Sequence, residues 1–351
     1  MEQSDPGVLF STADNPTPGN HVSGYFTTFD RRRLRYAIFK TEKTVARGTI
    51  VLLQGRNETI EKYYETIRHF TARGLWVATF DWRGQGGSPR LLKNPLRGHV
   101  RRFADFERDL TVFLETIVLP ETRLPFFLVA HSMGSLVALS AAPKLANRIE
   151  RMALVAPFVA MSGLPVSAGT LGVMARMLSS IGLGWLRLSR DGFPRPFADN
   201  ALTSDRQRFE RNQGIILTHP GLRQGPATVR WVLEMSRAIR RVNRFDHLDR
   251  IRVPTLLIAA GNDSIVDVRA VTGLANRFRA GSAITIDGAR HELLQEADRY
   301  RLPTLAAIDA FIPVDQSDEP AAKSRDAAAA GAFADEASRT SSRDNETGQE
   351  L

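Results

Sequence analysis

Short apolar runs and stretches with a helical period alternate along most of this chain. Six runs are predicted to be strands, at residues 48–53, 75–80, 125–130, 152–156, 254–260 and 283–286. Most of the stretches between them carry apolar residues on one helical face. Repeated strand–helix units of this kind build an α/β fold with a mostly parallel sheet and helices on both faces. Two earlier stretches of alternating polarity, 24–29 and 34–39, predict antiparallel strands that open the sheet.

The strand signal disappears over residues 157–249, which are rich in Gly, Met, Arg and Leu. An insertion between two strands of such a sheet usually lies over their carboxyl ends, where ligands bind. We therefore predict a helical cap at 157–249, inserted into a sheet-containing core made of 23–156 and 250–314. Residues 1–22 are an N-terminal extension. Residues 315–351 have little apolar surface to bury, so we expect them to be disordered.

Composition restricts the chemistry open to the chain. It has 351 residues and no cysteine, which excludes disulfides, thiolate zinc sites and a cysteine nucleophile. Its net charge of +9 is carried mainly by arginine. No RNA- or DNA-binding motif accompanies this charge, so we predict no nucleic-acid partner. A solvated surface is the simplest role for the charge, and contact with anionic lipid surfaces or acidic substrates is the alternative.

Two sequence features indicate where in the cell the protein is located. The first residues lack the basic and then apolar pattern of a secretory signal. Residues 152–175 contain no charged side chain, but Pro157 and Pro165 interrupt them, and a spanning helix needs a more continuous apolar run. We expect a cytoplasmic location, free or peripheral to the inner membrane face. The sequence leaves the oligomeric state open.

The sequence LVAHSMG at residues 128–134 stands at a predicted strand-to-helix junction. A serine on such a sharp turn is held with its hydroxyl exposed above the sheet, where it acts as a nucleophile. The turn needs small residues two positions before and after the serine, because strand and helix backbones pass close by. Gly134 meets this need, and Ala130 adds only a methyl group. We predict Ser132 as the nucleophile, and a chance serine in a strand–helix loop is the alternative.

A serine hydroxyl needs a base, and the chain offers seven histidines. His291 alone lies in a loop directly after the last predicted strand, and we predict it as the base. His131 adjoins the serine, but its side chain is expected to point away from the reacting face. The orienting acid should follow a strand between nucleophile and base. Asp263 does so, whereas Asp267 is expected to lie in the first turn of the next helix, where the dipole favours an acid.

Two backbone N–H groups are needed to bind the oxyanion that forms on a substrate carbonyl. The residue after the nucleophile supplies one of them, here Met133. The second is expected from the loop after strand 48–53, where Gly55 lets the backbone turn inward. We predict that this donor is the N–H of Arg56. Such a site needs no metal and no organic cofactor, and none is predicted.

Five sequence elements together resemble the lysophospholipase and monoacylglycerol-lipase branch of the α/β-hydrolases, above all the bacterial lysophospholipase L2 type. They are QGR, DWRGQGGS, AHSMG, GND and GARHELLQE, each next to a predicted strand or helix. The resemblance covers about residues 24–313 and implies the α/β-hydrolase fold. It also implies a triad of Ser132, Asp263 and His291, with the oxyanion donors named above.

Three residues depart from the family pattern. Gln54 stands where many relatives have His, Gln85 stands where RGHG is common, and Ala130 replaces Gly. None of these changes removes a catalytic group. They affect the expected substrate more than the expected reaction.

We therefore expect a serine hydrolase that cleaves carboxylic esters of single-chain lipids, lysophospholipid or monoacylglycerol, through an acyl-enzyme intermediate. One alternative is a proline-type aminopeptidase, although the acids of the cap offer no obvious clamp for a free amine. Another is a non-catalytic binding protein, against which the intact order of the triad argues. Within the cap, residues 171–188 alternate apolar side chains with Arg176 and Arg187. We predict that they offer an apolar surface to an acyl chain and a guanidinium to a phosphate. A role only in covering the edge of the core is the alternative.

Overall fold

The central element of the protein is one eight-stranded sheet with the strand order β1-β2-β4-β3-β5-β6-β7-β8. The computed structural model describes residues 8–163 and 168–313. The strands are β1 (His21–Thr27), β2 (Arg33–Phe39), β3 (Thr49–Leu53), β4 (Trp76–Phe80), β5 (Phe126–His131), β6 (Arg151–Val155), β7 (Thr255–Ala260) and β8 (Gly281–Ile286). Strand β2 pairs antiparallel with both β1 and β4, and every other neighbouring pair is parallel. The predicted α/β-hydrolase fold, with its antiparallel opening, is confirmed.

Helices connect the strands and cover the sheet. They are α1 (Tyr64–Ala72), α2 (Ala104–Phe113), α3 (Leu119–Glu121), α4 (Met133–Ala141), α5 (Ala168–Ser180), α6 (Arg206–Thr218), α7 (Val229–Val242), α8 (Phe245–Leu248), α9 (Val268–Ala275) and α10 (Asp298–Phe311). A π-helical turn at Leu114–Val118 joins α2 to α3. No helix in the described ranges is both long enough and apolar enough to cross a bilayer.

Burial on both faces explains why the central strands read as apolar runs rather than alternating ones. All six residues of β5 and all nine of α4 are buried. Beside them, the Trp82 ring lies 4.6 Å from that of Phe80 and 5.5 Å from that of Phe106, measured between centroids. This aromatic cluster packs α2 against the sheet, in which parallel pairing of β3 with β4 and β5 sets their carboxyl ends side by side.

A long helical segment separates β6 from β7. Between Val155 and Thr255 the described residues form α5 to α8 and no strand of the sheet. Thr228 caps α7 by accepting the Trp231 N–H at 3.3 Å, and α7 packs against both α4 and α5. The boundaries 157–249 for the cap stay a prediction, as do those of the core segments.

Near the N-terminus, β1 begins within the predicted N-terminal extension 1–22. Residues before this strand contact the core, because the guanidinium Nη1 of Arg35 donates to the Val8 carbonyl at 2.8 Å. The predicted disordered tail, 315–351, lies outside the described residues.

Candidate active site

Ser132 lies on the turn between β5 and α4, in a backbone conformation that side-chain-bearing residues rarely adopt. Its φ is 51° and its ψ is −112°. The surroundings hold it there, since its N–H donates to the Val155 carbonyl at 3.0 Å and its carbonyl accepts from Phe158 at 3.2 Å. A Cβ on Gly134 would lie 2.6 Å from the Gln54 carbonyl oxygen, so only glycine lets β3 and α4 approach this closely. Strain of this kind concentrates at functional sites.

The hydroxyl of Ser132 begins a chain of two hydrogen bonds through an imidazole to a carboxylate. His291 Nε2 lies 2.9 Å from Ser132 Oγ, and His291 Nδ1 lies 2.7 Å from Asp263 Oδ2. All three side chains are buried. The structure thus brings together the three residues predicted as nucleophile, base and orienting acid. An imidazole held in this way can accept the serine proton while the carboxylate stabilises the resulting imidazolium.

The two candidate orienting acids have different partners. Besides His291, Asp263 accepts the N–H groups of Ile265 and Val266 through Oδ1, at 2.8 and 3.0 Å. Burial alone would raise the pKa of Asp263, but these bonds and His291 lower it, so its carboxyl stays ionised. Asp267 instead caps α9, accepting from Arg269 and Ala270. This placement supports the choice of Asp263.

The predicted oxyanion donors line the same cavity. Arg56 and Met133 both border it with Ser132 and His291. The Arg56 loop is fixed on either side, since the Gly55 N–H donates to the Glu58 carboxylate and the Asn57 N–H donates to the Gln85 side chain. Gln85, a departure from the family pattern, therefore supports this loop. A rigid loop keeps an oxyanion donor in place before the charge develops.

A buried group of charged residues lies directly behind the site and was not predicted from the sequence. The Glu58 carboxylate accepts from Tyr63 Oη at 2.6 Å and pairs with Lys62 at 2.8 Å, and Lys62 also pairs with Glu292 at 2.6 Å. His131 joins this group, with Nδ1 3.3 Å from the Glu58 carboxylate and Nε2 3.2 Å from the His291 carbonyl oxygen. The His131 side chain was expected to point away from the reacting face, but His131 also borders the cavity.

Both ring nitrogens of His131 thus face acceptors, a carboxylate and a carbonyl. Only the doubly protonated imidazole can donate to both. Burial lowers the pKa of His131, but the carboxylate of Glu58 outweighs burial and the net shift is upward. In the same contact, burial raises the pKa of Glu58 while Lys62 and His131 lower it, and the net shift is well downward. Both shifts favour the charged forms, so this contact favours an ion pair between Glu58 and His131.

A cavity of about 520 Å³ opens from Ser132 between the sheet and the cap. Its walls combine the polar groups above with apolar side chains, many of them from α6, α7 and the segments between them. The apolar lining residues are Met133, Phe158, Phe193, Leu202, Phe209, Ile215, Ile216, Pro226, Ala227, Trp231 and Ile265. An apolar cavity with a few convergent polar groups suits a small amphiphilic ligand.

The cap segment predicted to line this cavity lies elsewhere. None of residues 171–188 borders it, and Arg176 and Arg187 are both exposed on the surface. On and just after α5, Met174, Met177 and Ile181 are 50%, 64% and 70% exposed. The prediction that this segment faces the acyl chain is therefore wrong, because the apolar period of α5 does not specify which of its neighbours it meets.

In the described part of the chain, no group of three or more His, Asp or Glu side chains is arranged to hold a metal ion. Near Ser132, Lys62 is instead paired with both Glu58 and Glu292.

Comparison with known proteins gives consistent results. The family model described as serine aminopeptidase, S33, matches residues 44–298. Lysophospholipase L2 of Escherichia coli strain K12 is 32% identical over 304 residues, which cover 82% of this chain and 86% of that protein. Monoglyceride lipase of Rattus norvegicus is 25% identical over 269 residues, covering 76% and 82% of the two chains. The crystal structure of Paleococcus ferrophilus monoacylglycerol lipase has a TM-score of 0.63 and 22% identity, and covers 79% of this chain and 98% of that one.

Proposed function

Because the chain belongs to the serine aminopeptidase S33 family of α/β-hydrolases, we propose that it is a serine hydrolase acting on carboxylic esters of single-chain lipids. The observation that carries this proposal is the hydrogen-bonded chain from Asp263 through His291 to Ser132, which opens into a cavity with an apolar lining. The names of the relatives, a lysophospholipase and a monoglyceride lipase, support the same class of substrate.

The hydrogen bonds among Asp263, His291 and Ser132 support an acyl-enzyme reaction. Ser132 Oγ attacks the ester carbonyl while His291 Nε2 takes its proton, and the N–H groups of Arg56 and Met133 bind the oxyanion of the tetrahedral intermediate. The imidazolium then protonates the leaving alcohol, which leaves an acyl-Ser132 ester. Water, deprotonated by His291, attacks this ester and releases the fatty acid and the free serine.

Paired acids in the cavity argue against the aminopeptidase alternative. Such an activity needs a carboxylate free to bind the substrate's terminal amine. The acidic residues lining the cavity are Glu58, Asp191 and Glu292. Glu58 and Glu292 both bind Lys62, and Asp191 pairs with Arg223 at 2.6 Å. Each already has a basic partner, since Glu58 and Glu292 share Lys62 and Glu58 also contacts His131, so none of them is left free to bind an amine.

A substrate panel tests the proposal. The purified protein is expected to be labelled by a fluorophosphonate probe and to hydrolyse a lysophospholipid or a monoacylglycerol faster than a triacylglycerol with the same acyl chain. A covered cavity of this size admits one chain more readily than three. Cleavage of prolyl amides without lipid activity would favour the aminopeptidase. Absence of labelling would favour a binding protein.

We also propose that the exposed apolar side chains on and after α5 contact a lipid surface. Met174, Met177 and Ile181 are at least half exposed, and Trp185 is 42% exposed with the Arg97 guanidinium 4.5 Å from its ring. Apolar side chains next to exposed arginines suit the boundary between acyl chains and anionic headgroups. The cytoplasmic location expected from the sequence would present this face to the inner membrane leaflet.

Vesicle binding tests this second proposal. The protein is expected to sediment with phosphatidylglycerol vesicles more than with phosphatidylcholine vesicles, and M177E combined with I181E is expected to reduce binding. Hydrolysis of a short-chain ester in solution should change little, because neither residue borders the cavity. Equal vesicle binding by the variant would refute the assignment of this surface.

A further inference from the structure

The guanidinium of Arg56 lies in the wall of the active-site cavity without a carboxylate partner. Its Nη2 donates to the Gly225 carbonyl at 2.6 Å, and its Cζ lies 5.1 Å from the centroid of the Trp231 ring. Its Nε is buried and has no hydrogen-bond partner. Among the described residues, no carboxylate forms an ion pair with this side chain.

The other basic residues of the cavity are either paired with a carboxylate or exposed to solvent. Lys62 pairs with Glu58 and Glu292, and Arg223 pairs with Asp191. Arg195 is exposed to solvent. Burial without a counter-charge lowers the pKa of Arg56 to about 10, so the guanidinium remains charged at neutral pH. Arg56 is partly buried, and a desolvated charge is costly unless an opposite charge meets it, so the cavity favours a ligand that brings one.

We propose that the Arg56 side chain binds the phosphate of a single-chain phospholipid while the Arg56 N–H binds the oxyanion of its ester. The inference rests on the proposed function and narrows it to lipids that carry an anion close to the scissile ester. In a lysophospholipid only the glycerol backbone separates the ester from the phosphate, so one residue at the cavity wall can meet both. A guanidinium suits phosphate because its planar donors match two phosphate oxygens. A monoacylglycerol offers only a hydroxyl at that position.

Binding of a headgroup fragment tests the site independently of catalysis. Calorimetric titration with sn-glycerol 3-phosphate is expected to show binding to the wild-type protein and none with glycerol. R56M is expected to weaken this binding at least tenfold. The matched control is R90M, since Arg90 also donates to backbone carbonyls, those of Gly86 and Arg223 at 2.8 and 3.0 Å, but lies outside the cavity lining. It should bind as the wild type does. Absent binding, or equal binding by R56M, would overturn the proposal.

Selectivity gives a second readout. R56M is expected to lower kcat/KM for lysophosphatidylethanolamine, relative to kcat/KM for a 1-monoacylglycerol of the same acyl chain, at least tenfold. R56K should give a ratio between those of the wild type and R56M, because lysine keeps the charge but not the planar donors. An equal loss on both substrates would mean that Arg56 only braces the cap, and would refute phosphate recognition.

The outcomes for the two proposals are distinguishable. A wild-type protein that cleaves monoacylglycerol but no lysophospholipid would overturn the role of Arg56 and leave the proposed function standing. A protein that cleaves neither would overturn the proposed function, and the glycerol phosphate titration would still decide the anion site.

Discussion

The imidazole Nε2 of His131 lies 3.2 Å from the backbone carbonyl oxygen of His291, and the two ring centroids are 5.0 Å apart. His131, which precedes the proposed nucleophile Ser132, thus contacts the backbone of His291, the proposed base. Through Nδ1 the same ring contacts Glu58, which fixes the loop carrying Arg56. One side chain therefore connects three separate parts of the site, and we assign it a positioning role.

Replacing this ring should slow hydrolysis without removing any reacting group. We expect H131F to lower kcat by up to about 100-fold, since misplacement of a reacting group by about 1 Å costs about that much. The matched control is H247F, because His247 Nε2 also bonds a backbone carbonyl, that of Leu139 at 3.0 Å, but remote from the cavity. Steady-state kinetics on a monoacylglycerol should separate the two variants. Equal kcat values for both would rule out the positioning role.

Stability should depend on pH through His131. Its pKa is raised in the folded protein above the ordinary value of 6.5, chiefly by Glu58 against the effect of burial, with Glu292 raising it further and Lys62 lowering it. The ion pair therefore contributes its full stability below about pH 6.5 and loses it as pH rises through the folded-state pKa. We expect the Tm difference between wild type and H131F to be largest near pH 6 and to shrink towards pH 9. A constant difference across that range would contradict this prediction.

Removing the proposed nucleophile should abolish activity while the fold remains. We expect S132A to reduce hydrolysis by about 10⁶-fold, the loss caused by deleting the serine of a comparable triad. S135A is the control, because Ser135 is buried three residues further on and its hydroxyl bonds the Ala130 carbonyl at 2.8 Å instead of His291. Circular dichroism should show both variants folded. Substantial activity in folded S132A would reassign the nucleophile.

The two neighbouring acids should respond differently to the same change. We expect D263N to lose about 10⁴-fold in kcat, because an amide holds the imidazole in the wrong tautomer. D267N should keep nearly full activity and stability, since Asn caps a helix about as well as Asp does. Kinetics on both variants check this ranking. A larger loss in D267N than in D263N would reverse the assignment.

Local patterns predicted the framework of the site. The apolar run of β5, the serine and Gly134 follow one another in sequence, and Gly134 must be glycine because its Cβ would meet the β3 backbone. Asp263 and His291 could be chosen because each follows a strand, and the carboxyl ends of parallel strands meet at one edge of a sheet. These inferences needed only neighbouring residues and the chain order.

Contacts between distant residues could not be read in this way. Glu58 meets His131 across 73 positions, and Lys62 meets Glu292 across 230. Charged residues are common on surfaces, so nothing in the sequence marks these as buried partners. The prediction for the cap failed for a related reason. The apolar residues of α5 do not show which neighbour that helix meets, and of the helices α5, α6 and α7 only α6 and α7 contribute residues to the cavity.

The position of the cap between Ser132 and His291 has a consequence for biosynthesis. These residues are 159 positions apart, so at translation rates of about 5–20 residues per second the base is synthesised on the order of 10–30 s after the nucleophile. A nascent chain, or one released early by a stalled ribosome, carries a serine with no base to activate it. Lipid hydrolysis then starts only when the last strand–helix unit docks and brings His291 to Ser132. The order of the chain thus delays an activity that could damage membranes until the whole catalytic unit has assembled.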